Sequence, residues 1–234
     1  LAERRRTLLT LLSLAILYTV WGSTYLAQRI AVSSFPPLQM AGLRFVVAGG
    51  LLYAVLRARG AAAPTAREWR AVVLSAVPLI VTGMGMAAVG LKRVPSGLAA
   101  LTFGSVPLWT SLIDWLWGGK LRRMEVVGLA VGFTGVGVVS LRGGLSADPV
   151  GALILLGAAA SYALGAVCTR RLGLPRGMLG TASQMAVGGA LLMAVSFAAG
   201  ERLVLPSAPA VWSMVYLVVL GSLVAYVAFG YLLR

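Results

Sequence analysis

The feature that most constrains this chain is its series of apolar runs that are long enough to cross a lipid bilayer. An α-helix needs about 20 predominantly apolar residues to span the hydrocarbon core of a membrane. Eight runs of about this length are separated by short breaks, at residues 7–27, 37–56, 71–91, 96–119, 126–141, 150–169, 179–200 and 211–233. Because helices satisfy their own backbone groups in lipid, the sequence predicts an all-α, polytopic membrane helix bundle.

Composition supports a membrane protein and argues against a nucleic-acid-binding one. The chain is 59% hydrophobic and 11% charged, whereas soluble domains are about one quarter charged. The net charge of +14 would suggest nucleic acid in a soluble protein, but the basic residues are spread over many loops instead of forming one patch. We therefore expect the protein to contact the lipid bilayer and to bind no nucleic acid.

The distribution of Lys and Arg predicts the orientation. Most of them fall on the side of the membrane that carries the amino terminus, within residues 4–6, 57–70, 120–123 and 170–176. Cytoplasmic loops carry such an excess of basic residues. The sequence thus predicts a multi-pass protein of the inner (plasma) membrane with a cytoplasmic amino terminus.

Catalysis and metal binding have little support in the residue types. The chain has one cysteine and no histidine, which excludes an intrachain disulfide and a metal site built from His and Cys. An intramembrane enzyme would need paired carboxylates, a Ser/His arrangement or a metal cluster. We therefore predict that the protein is not an enzyme and needs no cofactor.

The fourth predicted span is unusually polar for a segment in contact with lipid. It contains Thr102, Ser105, Pro107 and Asp114 within an otherwise apolar run. Each polar group at membrane depth needs a partner inside the protein, and a proline frees a backbone carbonyl that must also be satisfied. This span should face other helices or a watery cavity.

Two parts of the chain resemble each other weakly. Gly49-Gly50 in the second span and Gly188-Gly189 in the seventh lie in similar apolar surroundings. Internal repeats are common in transporters. We predict a first five-helix repeat at residues 7–141 and a second repeat at residues 150–234, which is inverted because each unit has an odd number of helices. The second repeat would be incomplete, with three helices.

Several motifs in order resemble the EamA family of the drug/metabolite transporter superfamily. They are Trp21-Gly22-Ser23-Thr24-Tyr25, Pro36-Pro37 leading to Arg44-Phe45, the run from Val94 to Ala100 with Val106-Pro107, and the glycine-rich stretch at 128–137. The resemblance implies a ten-helix fold of two inverted five-helix halves, of which about eight helices are present, with two more expected beyond Arg234. It also implies an exporter of amino acids and other metabolites. The sequence leaves a monomer and a homodimer both open.

Two departures from the family leave the substrate open. Members commonly end the fourth span with glutamate, where this chain has Lys120, and often end the first with lysine, where this chain has Arg29.

Arg44 is the sharpest single candidate because an arginine inside a span costs at least a few kcal/mol unless it is paired or hydrated. Two interpretations remain open. Arg44 contacts the substrate or a gate, or it pairs structurally with helix-end carbonyls or lipid headgroups.

Asp114 is the only acidic residue within a predicted span. At a rise of 1.5 Å per residue it lies roughly 12 Å closer to the cytoplasm than Arg44, which is too far for direct pairing. The sequence favours an interfacial arginine such as Arg122 or Arg123, or water, as its partner. The alternative is that Asp114 couples transport to protons.

Aromatic and polar residues at helical spacing suggest the walls of a cavity. A small amphipathic solute needs apolar walls with a few polar groups. The predicted substrate-binding residues are Trp21, Tyr25, Arg44, Thr102, Trp109, Tyr162 and Gln184. For Tyr25 the alternative is a place in the interfacial aromatic belt. Pro78, residues 83–85 and Pro107 are candidate hinges.

The predicted function is a secondary transporter that exports small neutral or zwitterionic metabolites, such as amino acids, by alternating access. The alternative is a non-transporting membrane scaffold or a lipid flippase.

Overall fold

The structure is a computed structural model that describes residues 2–120, 123–142, 148–202, 204–226 and 228. Within those residues every regular element is helical, as predicted. The helices are α1 (Ala2–Ala31), α2 (Pro37–Ala58), α3 (Ala66–Ala76), α4 (Gly85–Leu91), α5 (Ser96–Phe103), α6 (Val106–Leu116), α7 (Arg123–Arg142), α8 (Pro149–Arg171), α9 (Met178–Ala198) and α10 (Ala208–Val218). Two wider π-helical segments complete the set, the first π segment (Val77–Met84) and the second π segment (Val219–Val224).

These elements form six helices that are long and apolar enough to cross a membrane, within the described part of the chain. α3, the first π segment and α4 join into one of them, Ala66–Leu91, and α5 and α6 together make another, Ser96–Leu116. The fifth predicted span corresponds to the 20-residue α7. The eighth corresponds to a shorter apolar helix, Ala208–Val224, and its predicted end at residue 233 lies outside the described residues.

Capping residues fix where two of the helices begin. Thr65 and Glu68 form a capping box at the start of α3, in which Thr65 Oγ1 accepts from the backbone N–H of Glu68 and the Glu68 carboxylate accepts from the N–H of Thr65. Asp148 caps α8 by accepting from the N–H of Val150 at 2.9 Å. These side chains satisfy backbone donors that a helix leaves open at its first turn.

The fourth span is broken in the middle. α5 ends at Phe103, α6 begins at Val106, and Gly104 and Ser105 lie between them. Pro107 has no N–H to donate to the carbonyl of Phe103 four residues earlier, so the α-helical ladder is interrupted at this point. The proline that made this span stand out in the sequence thus divides it into two short helices.

The core of the bundle is the contact between α2 and α9, whose backbones touch at glycines. A Cβ atom added to Gly49 would lie 2.3 Å from the backbone nitrogen of Ala186, and one added to Gly189 would lie 2.4 Å from that of Val46. Small residues allow such close approach in membrane bundles. Phe45 and Met185 are buried beside them. The paired glycines are those that suggested the internal repeat, while the division into repeats at 7–141 and 150–234 stays a prediction.

Candidate functional site

A cavity of about 180 Å³ lies where seven of the helical elements converge, among them both π segments. α1 and α2 form one side, the broken fourth span and α8 form the other, and the second π segment closes it. The lining residues are Trp21, Thr24, Tyr25, Gln28, Arg44, Met84, Phe103, Val106, Tyr162, Gly221 and Tyr226. Four of the predicted substrate-binding residues, Trp21, Tyr25, Arg44 and Tyr162, are brought together here.

Arg44 is the charged group of this cavity and is only 4% exposed. Its Nε donates a hydrogen bond to Ser222 Oγ at 3.0 Å, and its Nη2 donates to the carbonyl oxygen of Gly221 at 3.3 Å. The guanidinium carbon also lies 5.0 Å from the centre of the Phe45 ring, within the range of a cation–π interaction. Arg44 therefore pairs with a carbonyl inside the second π segment, not at a helix end as one interpretation expected, and it also lines the cavity, as the other requires.

Aromatic rings form a nearly continuous wall around the cavity. Trp21 packs edge-on against Tyr226, with ring centres 5.9 Å apart. Phe103 lies 5.7 Å from Tyr25 and 6.1 Å from Tyr162, measured between ring centres. These separations are those of stabilising aromatic pairs. The wall is therefore apolar over most of its area and held in place by ring-to-ring packing.

Neutral polar groups complete the lining. Thr24 and Gln28 are buried at 6% and 4% exposure, and Thr24 Oγ1 donates to the backbone carbonyl of Trp21. Gln28 continues the face of Trp21 and Tyr25 at helical spacing, so periodicity could have assigned it to the site. Tyr18, which precedes Trp21 at the same helical spacing, is 77% exposed. Gly221 had no comparable signal, and the place of Tyr226 in the site depends on how α10 packs against α1.

Three predicted site residues lie away from this cavity. Thr102 is buried, and its Oγ1 donates to the backbone carbonyl of Leu98 in its own helix. Trp109 is partly buried in α6. Gln184 donates through Nε2 to Ser75 Oγ at 2.7 Å and to Thr169 Oγ1 at 2.8 Å, beside a second cavity between α8 and α9. A role for these three in substrate binding stays a prediction.

Asp114 lies at the end of α6 and faces α8. Its Oδ1 is 2.9 Å from an Arg171 nitrogen and 3.9 Å from an Arg170 nitrogen, and its side chain is 41% exposed. Within the part of the chain that the structure describes, its arginine partners thus come from α8 and not from Arg123, while Arg122 lies outside the described residues. The packing of α6 on α8 decides this choice, and sequence proximity could not reveal it.

The chemistry of the cavity is that of binding and orientation. It offers an apolar wall, several neutral hydrogen-bonding groups and one buried cation. Among the described residues, no cluster of three or more His, Cys, Asp and Glu could hold a metal ion. Such a lining fits a small amphipathic solute.

The profile of the EamA-like transporter family matches residues 8–141. The chain is 42% identical over 234 residues to the protein named uncharacterized inner membrane transporter YedA of Escherichia coli K12, covering 99% of this chain and 76% of that one. It is 34% identical over 166 residues to the uncharacterized transporter YvbV of Bacillus subtilis, covering 70% of this chain and 54% of that one.

A comparison with solved structures supports the fold. One crystal structure superposes with a TM-score of 0.68 over 95% of this chain and 79% of its own, at 23% sequence identity. At this identity the match concerns the helical architecture alone.

Proposed function

The chain belongs to the EamA-like transporter family, within the drug/metabolite transporter superfamily, and on that premise we propose that it exports small neutral or zwitterionic metabolites, such as amino acids, by alternating access. It is a multi-pass membrane protein. The inner membrane is the proposed location because the Escherichia coli relative is named as a transporter of that membrane. The amino terminus is proposed to be cytoplasmic on the distribution of Lys and Arg.

The observation that carries this proposal is the cavity around Arg44. Aromatic walls provide a surface for an apolar group, and Arg44, Gln28 and the tyrosine hydroxyls provide polar contacts. Its volume of about 180 Å³ is below the roughly 300–1,000 Å³ of pockets that hold drug-sized ligands. A small metabolite fits such a site better than a lipid, so the observation favours transport of solutes over the alternative of a lipid flippase.

The breaks in the helices support alternating access. The first π segment contains Pro78 and Gly83, and the break between α5 and α6 precedes Pro107. Interrupted helices near a central site are common in secondary transporters, where they allow one part of the bundle to move against another. Residues at both interruptions, Met84 and Phe103, line the cavity, so the candidate hinges lie beside it.

The proposal is tested by flux into liposomes that contain the purified protein. Amino acids, organic cations and a labelled lipid are offered in parallel, and flux of amino acids alone is expected. Trp21→Ala should reduce the flux at least tenfold by removing part of the cavity wall. Trp212→Ala is the matched control, because Trp212 is 72% exposed on α10. Absence of flux for every solute, or movement of the lipid alone, would contradict the proposal.

A further inference from the structure

The buried charge of Arg44 has no acidic counterpart in the cavity. All five acidic side chains that the structure describes lie elsewhere, and none lines this cavity. They are Glu68, Asp114, Glu125, Asp148 and Glu201. Burying a charge is costly unless an opposite charge or several hydrogen bonds compensate for it. The guanidinium group of arginine stays protonated in proteins, so the cavity carries a positive charge that a ligand could balance.

The geometry of Arg44 leaves room for an anionic ligand. Within the described residues its guanidinium makes two hydrogen bonds, from Nε to Ser222 and from Nη2 to Gly221. These use two of its five N–H donors. Donors remain on both terminal nitrogens, which is the pair that binds a carboxylate in the bidentate arrangement typical of arginine. Ser222 and Gly221 hold the other side of the guanidinium in place, so its orientation is fixed before a ligand enters.

We infer that the cavity recognises the carboxylate of its substrate through Arg44, so that amphipathic monocarboxylates bind at least as well as the corresponding zwitterions, and amines without a carboxylate are excluded. This inference rests on the proposed function because it names the substrate class of the same site. The apolar part of the ligand lies against the rings of Trp21, Tyr25 and Phe103. An ammonium group meets only neutral acceptors, such as Gln28 and the tyrosine hydroxyls, and is repelled by Arg44.

The test uses three ligands that share one phenyl ring and differ in charge. They are 3-phenylpropionate, phenylalanine and 2-phenylethylamine, which are an anion, a zwitterion and a cation. Their affinities for the purified wild-type protein in detergent are measured by isothermal titration calorimetry. We expect 3-phenylpropionate to bind at least as tightly as phenylalanine, and 2-phenylethylamine to bind at least tenfold more weakly than both. Equal or tighter binding of the amine, or no binding of either carboxylate, overturns the inference.

Variants assign the preference to Arg44. Arg44→Gln should lower the affinity for both carboxylates at least tenfold, which would bring them level with the amine. Arg29→Gln is the matched control, because Arg29 donates to the carbonyl of Leu91 and lies outside the lining of the cavity. Full retention of carboxylate binding in a folded Arg44→Gln protein contradicts the assignment.

A second variant covers the case in which Arg44→Gln does not fold. Ser222→Ala removes one hydrogen bond of Arg44 and keeps its charge, so the order of the three ligands should persist. Loss of that order in a folded Ser222→Ala protein would contradict recognition by charge. Binding also separates this inference from transport. A protein that binds carboxylates without flux keeps the inference and loses the proposed function, and one that transports amino acids but binds the amine as tightly as the carboxylates does the opposite.

Discussion

The two π segments hold neighbouring helices in different ways. The first, in the third span, packs on the backbone of α8. A Cβ atom added to Gly165 of α8 would lie 2.4 Å from the nitrogen of Leu79, and Ser161 Oγ donates to the carbonyl of Pro78 at 2.9 Å. The second packs on side chains. A Cβ atom added to Gly221 would lie 3.1 Å from a Thr24 methyl group and 3.3 Å from Arg44 Nη2.

Charged groups take different places around the two π segments. The first π segment with α4 and α8 is called the first region, and the second π segment with α1, α2 and α10 is called the second region. Beside the first π segment, a neutral hydroxyl donates to the carbonyl of Pro78, while an ion pair between Arg93 and Asp148 joins the end of α4 to the start of α8. In the second, the carbonyl of Gly221 accepts from the cation of Arg44, while Ser207 N–H donates to Ser34 Oγ near the start of α10. A ligand that binds Arg44 therefore acts directly on the second π segment. The first is fixed by backbone contact, so we expect the second to respond to occupancy of the cavity.

The largest expected effect comes from the glycine that allows the backbone contact. Gly165→Ala places a methyl group within 2.4–2.5 Å of backbone and side-chain atoms of Leu79, so α8 and the first π segment must separate. We expect a loss of at least about 3 kcal/mol in the free energy of unfolding, at the upper end of ordinary overpacking. Gly221→Ala should change it by less than about 1 kcal/mol, because small shifts of Thr24 and Arg44 relieve the contact and alanine is the better helix former.

Denaturant unfolding in detergent micelles measures both variants. Gly50→Ala serves as the control, because an added Cβ atom at Gly50 meets nothing within 4 Å. Equal losses for Gly165→Ala and Gly221→Ala would remove the distinction between backbone and side-chain packing.

The next largest expected effect on stability comes from removing the hydroxyl groups of Ser222 and Ser161. Ser222→Ala leaves the Nε–H of buried Arg44 without its acceptor, and a hydrogen bond to a charged group contributes about 1.5–3 kcal/mol. Ser161→Ala removes two neutral interhelical bonds, one to the carbonyl of Pro78 and one with Thr82 Oγ1, and such a bond contributes about 0.6 kcal/mol on average in a membrane bundle. Thr82 Oγ1 also lies 3.4 Å from the carbonyl of Pro78 and can partly replace Ser161. Unfolding free energies of the two variants should therefore differ by about 1 kcal/mol or more, with Ser222→Ala the less stable.

The outcome that would contradict this prediction is a larger loss for Ser161→Ala. Flux is a second measurement. Ser222→Ala should lower the flux, because it loosens the orientation of Arg44 in the cavity. Ser161→Ala should leave flux unchanged, since Ser161 does not line that cavity.

The sequence predicted much of the first region and little of the second. Pro78 and Pro107 marked two of the interruptions because a missing N–H has a local effect on the helix that contains it. The second π segment contains no proline, and what stabilises it is a side chain 177 residues away, Arg44. Hydropathy identified Arg44 as costly and in need of partners, but it could not identify them as Gly221 and Ser222. Long-range pairing of this kind depends on which helices become neighbours.

The dependence on helix packing also explains which residues of the candidate site could be predicted from the sequence. Trp21, Tyr25, Arg44 and Tyr162 were predictable because large polar or aromatic residues inside apolar runs have a composition signal of their own. Phe103 and Met84 look like ordinary core residues in the sequence, and they line the cavity at the points where the fourth and third spans are interrupted. Gln184 carried the same polar signal as Arg44, but it hydrogen-bonds to Ser75 and Thr169 beside a different cavity.

The smallest expected effect is a pH dependence confined to the first region. The Arg93 guanidinium, together with the N–H of Val150, holds the pKa of Asp148 below its usual range. A carboxyl group with a depressed pKa in the folded state contributes stability above its unfolded pKa of about 3.9 and loses that contribution as the pH falls through its folded pKa.

Asp148→Asn removes the charge and keeps a good N-cap for α8. The wild-type protein should thus be slightly more stable than Asp148→Asn at neutral pH, and the difference should shrink as the pH falls below about 4 and disappear below the folded pKa of Asp148. Melting temperatures of both proteins across that range test this. A difference in melting temperature that persists unchanged at low pH would mean that the contact between Arg93 and Asp148 does not depend on charge. The first region would then not differ in this respect from the second, where Ser34 and Ser207 form a neutral contact.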